Sequence, residues 1–259
     1  MLISWNVNSI NIRLTHLIAL IRYYQPTILL LQEIKCMQER FPEKQISKLG
    51  YYIAMVGQKS YHGVAIISKY QIKNPIYLLE GININDEARY IEATIIYREQ
   101  HIKVISVYVP NGRDIFTNHF LYKQYFLNML NTRLKKVMQE TDKIIIGGDF
   151  NIALESIDTY CKNTTSTNIC LHPKEQCLFR QLLVHALFDS FRIFHPCQQI
   201  FSWWDYRRYG WQKNNGLRLD YIFVSSTLVD LIIDANIIVE QRQYFKPSDH
   251  VPIYISWIL

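Results

Sequence analysis

At 259 residues, with 49% apolar and 19% charged side chains, the chain can build a substantial core and is too apolar for a disordered protein. No apolar run approaches the roughly 20 residues of a membrane span, and the five cysteines (Cys36, Cys161, Cys170, Cys177, Cys197) form neither a CxxC pair nor a Cys/His zinc spacing. The net charge of +6 suits a polyanionic partner without establishing one.

Leu2–Val7 reads as a strand from the outset, which leaves no room for a leader peptide; with the scattered, unpaired cysteines, a cytoplasmic location is expected. Ile12, Leu14, Leu17, Ile18 and Ile21 then fall near helical spacing, closed by Pro26. Thr27–Leu31 is a second buried strand, ending in Gln32-Glu33, and a short helix is expected near Glu43–Lys48. Tyr51–Val56, Val64–Ser68, Ile91–Tyr97 and Ile102–Val109 follow as strands with no long helix between them, a pattern that favours antiparallel pairing. Phe116 to Glu140 lacks Gly and Pro and forms the longest helix. It leads into Ile144–Asn151, Ile-Ile-Ile-Gly-Gly-Asp-Phe-Asn, a buried central strand whose glycines are expected to let the backbone turn. Asp149 and Asn151, on alternate residues, are expected to face one pocket. Asp158–Asn168 is a polar loop, and Lys174 to about Leu187 a helix after Pro173. Ile200–Trp204, Leu219–Val224, Ile232–Val239 and Pro252–Ile258 complete the strands. With no repeat or linker, residues 1–259 read as one domain: an α/β fold, a two-sheet β-sandwich flanked by helices on both outer faces.

Polar residues gather where strands end: Asn6 and Asn8, Glu33, Tyr108 with Asn111 and Arg113, Asp149 and Asn151, and Asp249-His250, with Asp220 at the start of an apolar run. Each has an ordinary explanation in turn chemistry, yet a carboxylate in an apolar run such as Asp220 needs a partner. Together they suit phosphodiester hydrolysis. A hard divalent ion takes carboxylate and amide oxygens, which Glu33 with Asn6, Asn8 or Asp249 would supply. Asp149 would orient or deprotonate a water, and His250, its ring fixed by Asp220, would donate to a phosphoryl oxygen. Asn151 and the Tyr108 hydroxyl would add polar contacts. Aromatic and cationic residues interleave from Trp203 to Lys213, where Arg207, Arg208 and Trp211 are candidate nucleic-acid contacts, with Arg89, Lys246 and the 59–61 loop behind them.

Eight stretches in order, from Ser-Trp-Asn-Val-Asn-Ser-Ile (4–10) through Leu-Leu-Gln-Glu-Ile-Lys (30–35), Gly-Val-Ala-Ile-Ile-Ser-Lys (63–69), Tyr-Val-Pro-Asn-Gly (108–112), Gly-Gly-Asp-Phe-Asn-Ile-Ala (147–153), Phe-Ser-Trp-Trp-Asp-Tyr-Arg (201–207) and Gly-Leu-Arg-Leu-Asp-Tyr-Ile (216–222) to Ser-Asp-His-Val-Pro (248–252), resemble the bacterial-type exonuclease III family of AP endonucleases, within the DNase-I-like endonuclease/exonuclease/phosphatase superfamily. The resemblance implies the four-layer DNase-I-like fold and a monomeric, Mg²⁺- or Mn²⁺-dependent DNA-repair enzyme. Its substrate would be double-stranded DNA with abasic sites or blocked 3′ ends, incised 5′ to the lesion, with 3′→5′ exonuclease activity. It implies Glu33 as the principal metal ligand, with Asn8 and Asp249 close to the ion. Asn111 and Arg113 would meet the DNA backbone, and an apolar wall of Trp203, Leu217 and Leu219 would take a flipped-out abasic sugar. Ser9 stands where Gly is commoner, Asn8 where some relatives have Asp, and His62 where a small polar residue is expected. His172–Gln176 departs from a Thr-Pro-Glu-Glu-Arg segment. Two rivals remain open from the sequence: a superfamily phosphatase acting on a non-DNA phosphoester, and a catalytically silent DNA-binding module.

Overall fold

The computed structural model describes residues 1–82, 87–161 and 170–258. Two six-stranded sheets form its centre. The first contains β1 (Leu2–Asn6), β2 (Ile28–Gln32), β3 (Tyr52–Val56), β4 (Val64–Ser68), β13 (Ile232–Ile237) and β14 (Ile253–Trp257), in the order β13-β14-β1-β2-β4-β3. The second contains β5 (Ile72–Ile76), β6 (Tyr90–Tyr97), β7 (Gln100–Tyr108), β8 (Ile144–Asp149), β9 (Leu187–Asp189) and β12 (Asp220–Ser225), in the order β5-β6-β7-β8-β12-β9. A two-stranded ribbon of β10 (Trp203–Trp204) and β11 (Gly216–Leu217) stands apart. The helices are α1 (Ile10–Tyr24), α2 (Glu43–Ser47), α3 (Asn118–Glu140), α4 (Pro173–Leu183), α5 (Ser190–Phe194) and α6 (Ser226–Val229).

Side-chain alternation explains the layers. In β2, Ile28 and Leu30 join the core between the sheets, whereas Leu29 and Leu31 pack outward with α1. In β8, Ile145 enters the inter-sheet core while Ile144 and Ile146 face α3 and α4. Both faces of these strands are covered, so they read as unbroken apolar runs. The long helices α1 and α3 return the chain to make the parallel pairs β1–β2 and β7–β8; the helix-free runs pair antiparallel, as at β3–β4 and β6–β7.

Two expectations need correction, and one strand was not expected. The helix after Pro173 stops at Leu183 instead of reaching Leu187; Leu187 opens β9, and its Asp189 caps α5 by accepting from the Phe191 and Arg192 backbone N–H groups. β5 has no counterpart in the sequence reading because Pro75 disfavours a strand; here it lies on a sheet edge, with a register shift between Lys73 and Ile76. Gly148 serves close packing, not a turn: a Cβ there would lie 1.9 Å from the Val107 carbonyl oxygen, inside the sheet. Part of the expected 158–168 loop, residues 162–168, lies outside the described residues.

Candidate active site

Strand register brings the polar set to one edge of the sandwich. Tyr108 and Asp149 are paired at the ends of the parallel strands β7 and β8. Asp220 opens antiparallel β12 directly opposite Asp149. On the facing sheet, Asn6 is paired with Gln32, the residue before Glu33. His250 arrives just ahead of β14 and bridges to Trp203. Left-handed backbone at Asn8 (φ 43°), Glu33 (φ 49°) and Asn151 (φ 52°) turns the chain immediately beyond these ends. Asn151 therefore meets Asp149 through a turn and not through strand alternation.

At the centre, His250 Nδ1 lies 2.8 Å from Asp220 Oδ2, and its Nε2 lies 3.6 Å from Asp149 Oδ2. Ser202 donates to the same Asp220 oxygen at 2.6 Å and accepts from the Leu219 and Asp220 N–H groups, so the carboxylate is held on its own hairpin. Asp149 accepts from Asn6 Nδ2 at 2.9 Å and from the Asn151 backbone N–H at 2.9 Å. Burial pushes the Asp149 carboxyl up to about 7; Asp220 and Glu33 reinforce the shift, while His250 and Asn6 oppose it. For His250, burial alone would disfavour the cation, but the Asp220 and Asp149 carboxylates outweigh it and raise the imidazole to about 10. The carboxylates thus favour the cationic form of His250, a donor poised beside a buried carboxyl group whose hold on its proton is strengthened.

Glu33 forms the second half of the cleft. Asn6 Nδ2 donates to its Oε1 at 2.8 Å, and Lys35 Nζ lies 2.7 Å from its Oε2. Burial would raise the Glu33 carboxyl, but the Lys35 charge and these hydrogen bonds hold it below the usual carboxylate range. The Tyr108 hydroxyl also reaches Glu33, and burial beside that carboxylate keeps the phenol protonated. Ligand atoms of Glu33, Asp149 and His250 all lie within 4.8 Å of one another. The hard oxygens of Glu33 and Asp149 fit a magnesium-like ion, whereas a cationic His250 would not ligate one. Asn6 turns its amide N–H₂ to both carboxylates and its Oδ1 to the Asn8 backbone N–H. Asn8 Nδ2 donates to Asp249 Oδ1 at 2.8 Å, and Asp249 Oδ2 accepts from Trp203 Nε1 at 3.1 Å.

Toward solvent, exposed Asn111 donates to Asn151 Oδ1 at 2.8 Å, with exposed Arg113 two residues on. Trp203 packs on the small apolar cluster that contains Leu217 and Leu219. Arg207 and Arg208 line a cleft of about 350 Å³ with Trp203 and Tyr160. Trp211 is turned inward, its ring edge-on to Trp204 at 4.8 Å, leaving Tyr206 and Tyr209 (71% exposed) as the exposed aromatics of that tip. Arg89 is buried, stacked 4.4 Å over the Tyr108 ring and paired with Glu87, so it braces the site from behind.

Besides Ser202, three supporting residues escaped the sequence reading. Lys35 sits two positions after Glu33. Arg13 of α1 donates to the Pro247 carbonyl and to the Tyr206 hydroxyl, both at 2.9 Å, and also to Asn8 O, joining the loops that carry Asn8 and Asp249. Lys123 of α3, fully buried, is 2.7 Å from Glu175 and donates to Asn151 O at 2.8 Å. A cation inside an otherwise apolar helical pattern was the available signal for the last.

A sandwich of two mixed sheets whose edge gathers an acid–imidazole–acid line and a second buried carboxylate able to hold a cation is the frame of a phosphoester hydrolase. The model of the Endonuclease/Exonuclease/phosphatase family matches residues 3–250, and the chain belongs to that family, on its exonuclease III and AP endonuclease branch of enzymes that hydrolyse DNA phosphodiester bonds. It is 35% identical to exodeoxyribonuclease III of Haemophilus influenzae, over 98% of each chain. Its fold superposes with a TM-score of 0.95 on a 3′ phosphatase from Neisseria bound to product DNA hairpin, at 32% identity, covering 100% of this chain and 99% of that one. An AP endonuclease from Archaeoglobus fulgidus matches with a TM-score of 0.92, at 30% identity and the same coverage. Among the described residues, no helix is long and apolar enough to cross a membrane.

Proposed function

We propose that this DNA-repair nuclease acts on double-stranded DNA, incising 5′ to abasic sites, clearing blocked 3′ ends and removing nucleotides 3′→5′. The observation that carries the reading is the Asp149–His250–Asp220 line beside Glu33: a buried carboxyl group whose hold on its proton is strengthened, next to an imidazole whose cationic form is favoured. Asp149 positions a water and accepts its proton as the oxygen attacks phosphorus; the P–O3′ bond breaks, and the departing 3′-oxygen takes a proton from solvent to become the 3′-hydroxyl. His250, kept cationic and oriented by Asp220, donates to a non-bridging phosphoryl oxygen where negative charge builds up. Asn6 and Asn151 hold the oxygens of Asp149, and Tyr108 braces Glu33. Glu33, with Asp249 and Asn8 close by, would hold Mg²⁺ or Mn²⁺, which supplies Lewis-acid stabilisation of the phosphoryl charge when bound.

The apolar wall of Trp203, Leu217 and Leu219 beside His250 suits a sugar that lacks a base, because a normal nucleotide would bring polar edges with no partner. Asn111, Arg113, Arg207 and Arg208 are assigned to the backbone of the duplex, whereas the inward-turned Trp211 supports the tip from within. Similarity to an exodeoxyribonuclease, a 3′ phosphatase and an AP endonuclease supports the three activities. The test is a panel of end-labelled duplexes, abasic, intact and 3′-phosphorylated, assayed with Mg²⁺, with Mn²⁺ and with EDTA. Cutting of the abasic duplex that EDTA abolishes is the expected outcome. Binding of that duplex without cutting under any metal condition overturns the enzyme reading, and turnover of a soluble phosphoester alone transfers the chain to the phosphatases.

A further inference from the structure

Lys35 holds the position that a hard cation would claim. Its Nζ lies 2.7 Å from Glu33 Oε2 and donates to Asn8 Oδ1, so it takes up one carboxylate oxygen and one amide oxygen, the donors a divalent ion seeks. The posture is built into the backbone. Glu33 and Lys35 are both left-handed (φ 49° and 52°), and the Lys35 N–H is tied to the His62 carbonyl at 2.9 Å, which folds the side chain back over the seat. Asn8 completes a chain of contacts: its Oδ1 receives the ammonium while its Nδ2 donates to Asp249 Oδ1 at 2.8 Å. Only a side chain with both a donor and an acceptor can link an ammonium to a carboxylate in this way.

We propose that Lys35 is a resident counter-ion of the metal seat, which the divalent ion must displace from Glu33, and that this competition sets how tightly the ion is held. The inference rests on the metal-dependent reading above. A carboxylate oxygen already neutralised by an ammonium gains less from a divalent ion, so the site binds it weakly and exchanges it readily. Lys35 acts through Glu33 and is a positioning residue. Its side chain is 27% exposed, so a neutral replacement of similar length leaves the core intact.

The experiment is direct titration of Mn²⁺ against the purified enzyme, followed by the electron paramagnetic resonance signal of the free ion, for wild type, Lys35→Met, Lys35→Arg and Glu33→Gln, with thermal melts as folding controls. Lys35→Met is expected to bind Mn²⁺ about ten-fold more tightly, from the loss of one adjacent positive charge. Lys35→Arg should stay near wild type, and Glu33→Gln should bind more weakly. Unchanged or weaker binding by Lys35→Met, with Glu33→Gln still impaired, overturns the counter-ion role and leaves the metal seat standing. No binding by wild type or by Lys35→Met removes both.

Discussion

Two buried clusters of charge, a few residues apart along the 216–222 segment, behave in opposite ways. Around Arg218, two acids meet two guanidinium groups: Arg218 Nε is 2.7 Å from Asp158 and its Nη2 2.8 Å from Asp189, while Arg192 also reaches Asp158. Although burial opposes it, the arginines hold the Asp158 carboxyl below the ordinary range. Around Asp149, three carboxylates share one imidazole and the partly exposed Lys35, and the equally buried Asp149 is pushed up to about 7. Burial is the same in both places; the bookkeeping of charge differs. Balanced pairs fix a hairpin, whereas a surplus of acid suits the proposed base and cation seat.

Exchanging the central residue of each cluster tests this contrast most severely. Asp149→Asn removes the proposed base, and incision of an abasic duplex should fall by on the order of 10³-fold. The melting temperature should hold or rise, since a poorly compensated buried charge is gone. A variant that retains wild-type incision would break the comparison at its functional end. Arg218→Met should do the reverse. It strips Asp158 and Asp189 of a fully buried partner, at a cost of about 3–5 kcal/mol in urea unfolding. The surviving folded fraction should still cut at a rate within about ten-fold of wild type, because Arg218 touches neither Asp149 nor His250 in the described contacts.

The surplus also predicts how stability follows pH in metal-free protein. Asp149 keeps its proton up to about 7 when folded but loses it near 3.8 when unfolded, so the folded state binds more protons between those values and stability falls as pH rises through them. His250 extends the trend: its stabilisation is complete below 6.5 and is lost as pH climbs to about 10. His62 and the N-terminal amine, both shifted down by burial, pull the other way, so the readout is the wild-type melt in EDTA relative to Asp149→Asn: that difference should drop from about pH 4 to 7, and saturating Mg²⁺ should flatten it. A difference that stays flat or rises with pH across that range would mean that the cluster is balanced after all.

Much of the frame was legible in the chain because it is written in short-range pattern. The apolar runs of β2, β8 and β12 and the long helix α3 are each local signals, and the polar residues that end or open the strands follow from them. What stayed hidden depends on distant partners. Nothing near Lys35 in sequence shows that its ammonium will reach Asn8 as well as Glu33. Ser202 looks like any serine until β12 brings Asp220 beside it. Arg218 reads as a surface charge between two leucines until Asp158, 60 residues earlier, closes on it. The helix that turned into β9 failed for a related reason: Leu182, Leu183 and Leu187 continue a helical spacing, and only pairing of Leu187 with Ser225 makes that segment a strand.

The smallest effect lies in the backbone at the rim of the cleft. Ser9 carries φ 89° and ψ 107°, a region that disfavours any side chain with a Cβ, and it precedes α1 without making a side-chain cap. Its position is dictated by its N–H, which donates to the Glu33 carbonyl at 2.7 Å and ties the Asn8 turn to the metal side of the site. Ser9→Gly keeps that bond, relieves the strained conformation and gives back part of the gain as unfolded-chain entropy, for a net stabilisation of about 0.5–1 kcal/mol. Incision and Mn²⁺ affinity should not change, since no charge moves. If the variant gained stability but lost metal affinity, strain in this turn, and not only the charge surplus, would be shaping the seat.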